Sequence, residues 1–242
     1  RLSLVGSEMC IRDRFGIQVE YFGNPLVDVV NEFRKGFRGS AEWRKAHGLD
    51  DRPVVALLAG SRKKEIEAML PVMAGVAKKY PGYRFVVAGA PSIDPRFYAP
   101  FIREAPVMLV HGETYPLLAS AFAGMVTSGT ATLEAALFGV PQLVLYKTGS
   151  LAYALAKRMI KVNFISLVNL IYGDRLVEEI IQKDMFRRAD RELSRLLEDA
   201  EYREGMRNGY REVAMKIGGE GVSGRIAERM VELLQETVQG ES

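Results

Sequence analysis

The stretch Val126-Thr127-Ser128-Gly129-Thr130-Ala131-Thr132-Leu133-Glu134-Ala135-Ala136 decides how this chain folds. An apolar run breaks at a hydroxyl-rich glycine turn and resumes at once as a helix-compatible run. The first turn of a helix carries unpaired backbone N–H groups and roughly half a positive charge, and a glycine lets an anion come close to the backbone. A second strand-then-glycine break stands upstream at Leu57-Leu58-Ala59-Gly60-Ser61-Arg62. There the next helix is entered through a guanidinium, a fork suited to bidentate contact with phosphate. Two such turns predict one diphosphate.

Working outward, short apolar β-favouring runs alternate with longer amphipathic ones, the pattern of βαβ units around a parallel sheet. Strands are predicted at 19–22, 54–58, 85–88, 107–110, 124–126 and 142–146. Helices are predicted at about 26–35, 41–47, 63–79, 114–121, 130–138 and 150–160, with glycine or proline at most of the seams. Beyond Gly173 the pattern turns wholly helical and charged, with helices at about 175–182, 189–205 and 210–235 and a break at Gly218-Gly219-Glu220-Gly221. The expected class is α/β, a Rossmann-like parallel sheet flanked by helices with a helical C-terminal segment. In open parallel sheets ligands bind beyond the carboxyl ends of the strands, where both glycine turns fall. Neither turn has the three spaced glycines of a dinucleotide fingerprint or a Walker lysine.

Three segments are expected: 1–14, a spurious or disordered tail; 15–173, the Rossmann-like domain; and 174–242, helices that cap it or cross over it. Residues 1–14 show no helix or strand period and no signal-peptide pattern, and they resemble a translated sequencing adapter. The sole cysteine, Cys10, lies among them, so neither a disulfide nor a cysteine-rich metal site is expected. The formal charge of +3 falls to +2 without that tail, since three arginines and two acids leave with it. Such a balance, without a basic patch interleaved with aromatics, argues against nucleic acid. No apolar run reaches the roughly 18 residues that a spanning helix needs, so an integral membrane protein is not expected.

Several residues invite both a chemical and a plain reading. Glu134, about one turn inside its helix, is favoured there by the dipole alone, or it accepts hydrogen bonds from ribose hydroxyls. Arg62 is a solvated cation or, since it opposes the dipole, the partner of an anion. Ser61, Ser128, Thr130 and Thr132 are N-caps or phosphate contacts. Asn169, a polar residue within Phe164-Ile165-Ser166-Leu167-Val168-Asn169-Leu170, is a turn former or a ligand contact. His111 ends a strand at the edge that carries the glycine turns and is a further candidate, whereas His47 is expected to face solvent. Two histidines without clustered carboxylates give no metal spacing. The segment 151–164, with Tyr153, Phe164, Lys157, Arg158 and Lys161, is a core-facing helix or one lying on an anionic membrane surface.

Taken together, four segments resemble the C-terminal half of the lipid-A-disaccharide synthase family, glycosyltransferases of the two-Rossmann-domain (GT-B) type. They are Phe22-Gly23-Asn24-Pro25-Leu26-Val27-Asp28; the Gly60-Ser61-Arg62 turn with Glu65 and Glu67; Thr127 to Glu134; and Ala156-Lys157-Arg158 leading to Ile165-Ser166-Leu167-Val168-Asn169-Leu170. The family often shows histidine where Asn24 stands and proline where Ala59 and Val168 stand.

The resemblance implies transfer of 2,3-diacylglucosamine from its UDP-activated form to 2,3-diacylglucosamine 1-phosphate, giving a β-1,6-linked disaccharide phosphate and UDP. It implies a cytoplasmic enzyme, peripheral on the inner membrane of a Gram-negative bacterium, with no cofactor and no metal; a homodimer is a further expectation. Mapped here, residues 15–173 would bind the UDP-sugar. Ser61, Arg62, Ser128, Gly129 and Thr130 would face the diphosphate, Glu134 the ribose, and Asn169 the nucleotide or sugar side, with His111 and Asn24 as additional candidates. The catalytic base would belong to the family's N-terminal domain. Two rivals stand beside this reading: a UDP-N-acetylglucosamine 2-epimerase-like enzyme, with the same fold and a similar serine–glycine turn followed by glutamate, and a non-catalytic sugar-nucleotide-binding module.

Overall fold

A computed structural model describes residues 20–147, 164–182 and 184–240. Its centre is a six-stranded sheet of β1 (Val54–Leu58), β2 (Arg84–Gly89), β3 (Val107–His111), β4 (Ala123–Thr127), β5 (Gln142–Tyr146) and β6 (Glu179–Ile181). All strands are parallel, in the order β3-β2-β1-β4-β5-β6. A parallel sheet is covered on both faces, so its central strands read as unbroken apolar runs. Accordingly β1 and β4 are buried at every position.

Alternation along the strands sends side chains to two cores. Val55, Leu57, Phe85, Val87, Met125, Leu143 and Leu145 pack with Ile66, Met69 and Met73 of α3 (Lys63–Ala77) and with Leu193 and Leu196 of α8 (Met185–Glu198). On the other face Val54, Ala56, Leu58, Val86, Ala88 and Val126 meet Trp43 of α2 (Ser40–Ala46), Leu117 and Leu118 of α5 (Thr114–Ser120) and Ala135 of α6 (Thr130–Leu137). The remaining helices are α1 (Leu26–Gly36), α4 (Ala99–Ile102), α7 (Leu167–Tyr172), α9 (Ala200–Lys216) and α10 (Val222–Gly240). Helix α8 lies against α3 and β5, α9 against α6 and α7, and α10 against α1.

Five predicted strands are present within a residue or two of their expected ends. The sixth is not: residues 20–24 form no strand, and the backbone there serves the C-terminal helices instead, Asn24 N–H donating to the Ile217 carbonyl at 2.8 Å. The stretch expected to be helical at 175–182 contains β6. Leu176, Val177, Ile180 and Ile181 have helix-compatible spacing, but β-branched Ile180 and Ile181 pair with Leu145 and Tyr146, and tertiary pairing overrides the local period. The sheet therefore extends past Gly173. The helix expected at 189–205 is divided at Asp199, whose carboxylate accepts the Tyr202 N–H at 2.8 Å and caps a new helix. The glycine run at 218–221 separates α9 from α10 as expected. Residues 1–14 and the helix expected at 150–160, with Ala156-Lys157-Arg158, lie outside the described residues.

Candidate functional site

The strand order reverses between β1 and β4, and each of these neighbours is followed by one of the two glycine turns. A cleft of about 400 Å³ opens there, lined by Ser61, Arg62 and Glu65 from one side and by Thr127, Ser128, Gly129, Thr130 and Glu134 from the other. Thr114, at the start of α5, closes a third side. The structure thus brings six of the sequence-predicted site residues into one cleft.

The two turns differ in what their backbone is doing. At Gly129 φ is +150°, and a Cβ placed there would meet no heavy atom within 4 Å. The N–H groups of Gly129, Thr130 and Ala131 have no hydrogen-bond partner among the described residues, while Ser128 N–H is taken by the Leu145 carbonyl and Thr132 N–H by that of Gly129. Among the described residues no side chain caps this helix. Unpaired donors at an open helix N-terminus make an anion site.

At Gly60 the corresponding place is filled. The Glu65 carboxylate folds back from α3; its Oε2 accepts the N–H groups of Ser61 at 3.1 Å and Arg62 at 3.3 Å, and its Oε1 accepts from Arg62 Nη1 at 3.1 Å. Gly60 (φ +110°) leaves room for it, since a Cβ there would stand 2.5 Å from Glu65 Oε2. At the Gly129 turn the N–H groups of residues 129–131 stay unpaired among the described residues, whereas at the first turn Glu65 takes those of Ser61 and Arg62.

Glu134 accepts from the Tyr115 hydroxyl at 3.0 Å. Burial pushes the Glu134 carboxyl above its usual value, and the Tyr115 bond offsets part of that rise. Burial likewise pushes the Tyr115 phenol upward, with the Glu134 charge adding to it. Behind α5, Glu113 Oε2 accepts from Trp43 Nε1 at 2.6 Å and lies 3.0 Å from His47 Nε2. Burial works to raise the Glu113 carboxyl, yet these two bonds outweigh it and the net direction is downward. His47 is thus half-buried against Trp43 rather than solvent-facing, since a carboxylate and an indole ring hold it.

The other candidates lie elsewhere. Asn169 is fully buried in α7, and all four hydrogen-bonding positions of its amide are used. Its Oδ1 accepts from Leu176 N–H (2.8 Å) and Val177 N–H (2.9 Å), and its Nδ2 donates to the Val177 carbonyl and to Glu179 Oε1, both at 2.9 Å. A saturated amide has nothing left for a ligand, so the expected contact is corrected to a role in holding the segment before β6. Ser128 is tied too: its hydroxyl donates to the Ile165 carbonyl at 2.8 Å, and Glu179 accepts the N–H groups of Ile165 and Ser166 at 2.9 Å. His111 Nε2 lies 2.9 Å from the Ile93 carbonyl, outside the cleft lining. Asn24 accepts the Leu26 N–H at 3.0 Å at the start of α1, also away from the cleft.

Sequence reasoning missed Glu65, Tyr115 and Glu179 as site-shaping groups. Glu65 had a signal, because a glutamate at the third helical position commonly reaches back to the N-cap N–H. Tyr115 and Glu179 act across the fold and had none. Among the described residues no group of three His, Cys, Asp or Glu side chains converges to hold a metal, and no helix is long and apolar enough to cross a membrane.

A parallel sheet with an open glycine turn at its switch point is the architecture of the nucleotide-binding half of GT-B glycosyltransferases. Two solved structures share the fold. WaaG, a glycosyltransferase involved in lipopolysaccharide biosynthesis, superposes with a TM-score of 0.53 at 15% identity over 86% of this chain and 56% of its own. UDP-GlcNAc 2-epimerase from Neisseria meningitidis, solved bound to UDP-GlcNAc, gives 0.56 at 22% over 87% and 54%. The chain belongs to the lipid-A-disaccharide synthetase family, whose profile matches residues 3–221. The lipid-A-disaccharide synthase of Geobacter sulfurreducens is 35% identical over 241 residues, covering 96% of this chain and 61% of the relative. That of Myxococcus xanthus is 35% identical over 227 residues, covering 90% and 58%. The chain thus spans about 60% of the length of these relatives.

Proposed function

We propose that this chain is the donor-nucleotide half of an enzyme that transfers 2,3-diacylglucosamine from its UDP-activated form to 2,3-diacylglucosamine 1-phosphate, releasing UDP. The observation that carries the reading is the pairing, within one cleft, of three N–H groups at Gly129–Ala131 that have no partner among the described residues with the Glu134 carboxylate further along the same helix. The N–H groups and Arg62 would meet the charge that develops on the departing diphosphate, donors fixed in place before reaction. Glu134 would accept from the ribose hydroxyls. Residues 15–173, together with β6 of the same sheet, would form the nucleotide-binding domain, with the base that activates the acceptor on a separate domain. Family membership favours transfer over epimerisation, and the likeness to the epimerase is one of fold. The enzyme would work without a metal, at the cytoplasmic face of the inner membrane of a Gram-negative cell.

Calorimetric titration with UDP, followed by incubation with both glucosamine substrates, tests this. Expected are UDP binding and no disaccharide, because positioning and general base catalysis need the second wall of the cleft. Disaccharide phosphate made by this chain alone would place the base among its own residues. An absence of UDP binding would remove the nucleotide assignment.

A further inference from the structure

Each glycine turn is followed, five residues on, by a glutamate: Gly60 by Glu65 and Gly129 by Glu134. The two carboxylates go to different places. Glu134 turns away from its own turn to Tyr115, whereas Glu65 folds back onto its turn and takes the N–H groups of Ser61 and Arg62. In doing so it also holds Arg62, whose side chain is 82% exposed, through the 3.1 Å contact from Nη1.

We propose that Glu65 is an internal counter-anion, a positioning residue that restrains Arg62 on its own carboxylate and yields it to the diphosphate when a nucleotide enters. The proposal rests on the reading of the cleft as a UDP site. The exchange is physically easy. An exposed ion pair contributes little net stability, and a diphosphate offers the guanidinium more negative charge and a bidentate geometry. The backbone half of the Glu65 interaction persists when Arg62 leaves, so the turn keeps its shape. A cation that must trade one anion for another binds UDP less tightly than a free one, which eases release of the product nucleotide. Glu65 therefore weakens the grip on the diphosphate and leaves the nucleoside end untouched.

The test separates the two halves of the interaction. In Glu65→Gln the amide oxygen still accepts from Ser61 and Arg62 N–H groups, but the ionic hold on the guanidinium is gone. In the 242-residue chain this variant is expected to bind UDP about two- to fivefold more tightly, with uridine affinity and Tm unchanged. Glu65→Ala loses the cap as well and is expected to lower Tm. Combining Glu65→Gln with Arg62→Ala should abolish the gain, the signature of a residue acting through its neighbour. An unchanged UDP affinity in Glu65→Gln would overturn the proposal, as would a gain that persists without Arg62. Failure of the unaltered chain to bind UDP is a separate result, and it would remove the nucleotide reading together with this one.

Discussion

The Tyr115 hydroxyl donates to Glu134 at 3.0 Å, joining the helix that closes the third side of the cleft to the helix that begins at the Gly129 turn. Since burial raises the Glu134 carboxyl above its ordinary 4.5, ionisation is completed at a higher pH than for an exposed glutamate. An acceptor for ribose hydroxyls must be ionised to accept fully. Uridine affinity is therefore expected to fall as pH drops from 8 toward 5, and Glu134→Gln to flatten that dependence; titration calorimetry at stepped pH reads both. For stability the sign is opposite. A folded-state pKa raised above the unfolded one favours the fold at low pH and is lost as pH rises through it, so Glu134→Gln should raise Tm at pH 8 and leave it unchanged at pH 4.

Glu134 and Arg62 are expected to divide the ligand between them. Glu134→Ala should weaken UDP and uridine alike, whereas Arg62→Ala should weaken UDP and spare uridine, each by about ten- to hundredfold if the bonds are charge-assisted. Equal losses for both ligands in Arg62→Ala would place the guanidinium away from the diphosphate.

Asn169→Ala is expected to act on stability. It strands the part-buried N–H of Leu176 and the buried N–H of Val177 and removes a donor from Glu179. A cost of about 2–4 kcal/mol follows from leaving buried donors unpaired, or a drop in Tm of at least about 4 °C for a chain of this size. Differential scanning calorimetry gives the value directly, and an unshifted Tm with weakened UDP binding would restore Asn169 to the cleft.

Magnesium is expected to leave UDP affinity unchanged, because among the described residues no three His, Cys, Asp or Glu side chains converge to hold a metal. Titration in EDTA and then in magnesium decides it, a gain of more than about tenfold pointing to metal-assisted diphosphate binding.

The parts of the fold legible in the sequence were those where local pattern and final environment agree. Val54–Leu58 and Gln142–Tyr146 are buried on both faces of a parallel sheet, so their apolar runs admitted only one reading. The Gly129 turn was legible because a glycine between a strand and a helix has few other uses. Glu179–Ile181 was not, since its helix-like spacing is overruled by pairing with a strand more than thirty residues away. In the site, residue types pointed to a glycine turn beside a carboxylate, and Gly129 and Glu134 do line one cleft. Which turn was open was invisible, for it depends on whether Glu65 or Glu134 folds back onto its own backbone. Asn169 shows the same limit from the other side, because a polar residue in an apolar run signals a demand for hydrogen bonds without saying who makes it.

The start of α10 is fastened to α1 by the Asp28 carboxylate, which accepts the N–H groups of Gly221 and Ser223, each at 2.7 Å. The fastening joins residues 193 and 195 positions apart, so almost the whole described chain must be in place before it can close. Contacts of such sequence separation carry a large loop-closure entropy and are rewarded late in folding. These bonds are also exposed, which puts them at the low end of local opening free energy. Amide exchange at Gly221 and Ser223 should thus be fast compared with that in β1 and β4, and a variant such as Asp28→Asn should speed unfolding while leaving the refolding rate nearly unchanged.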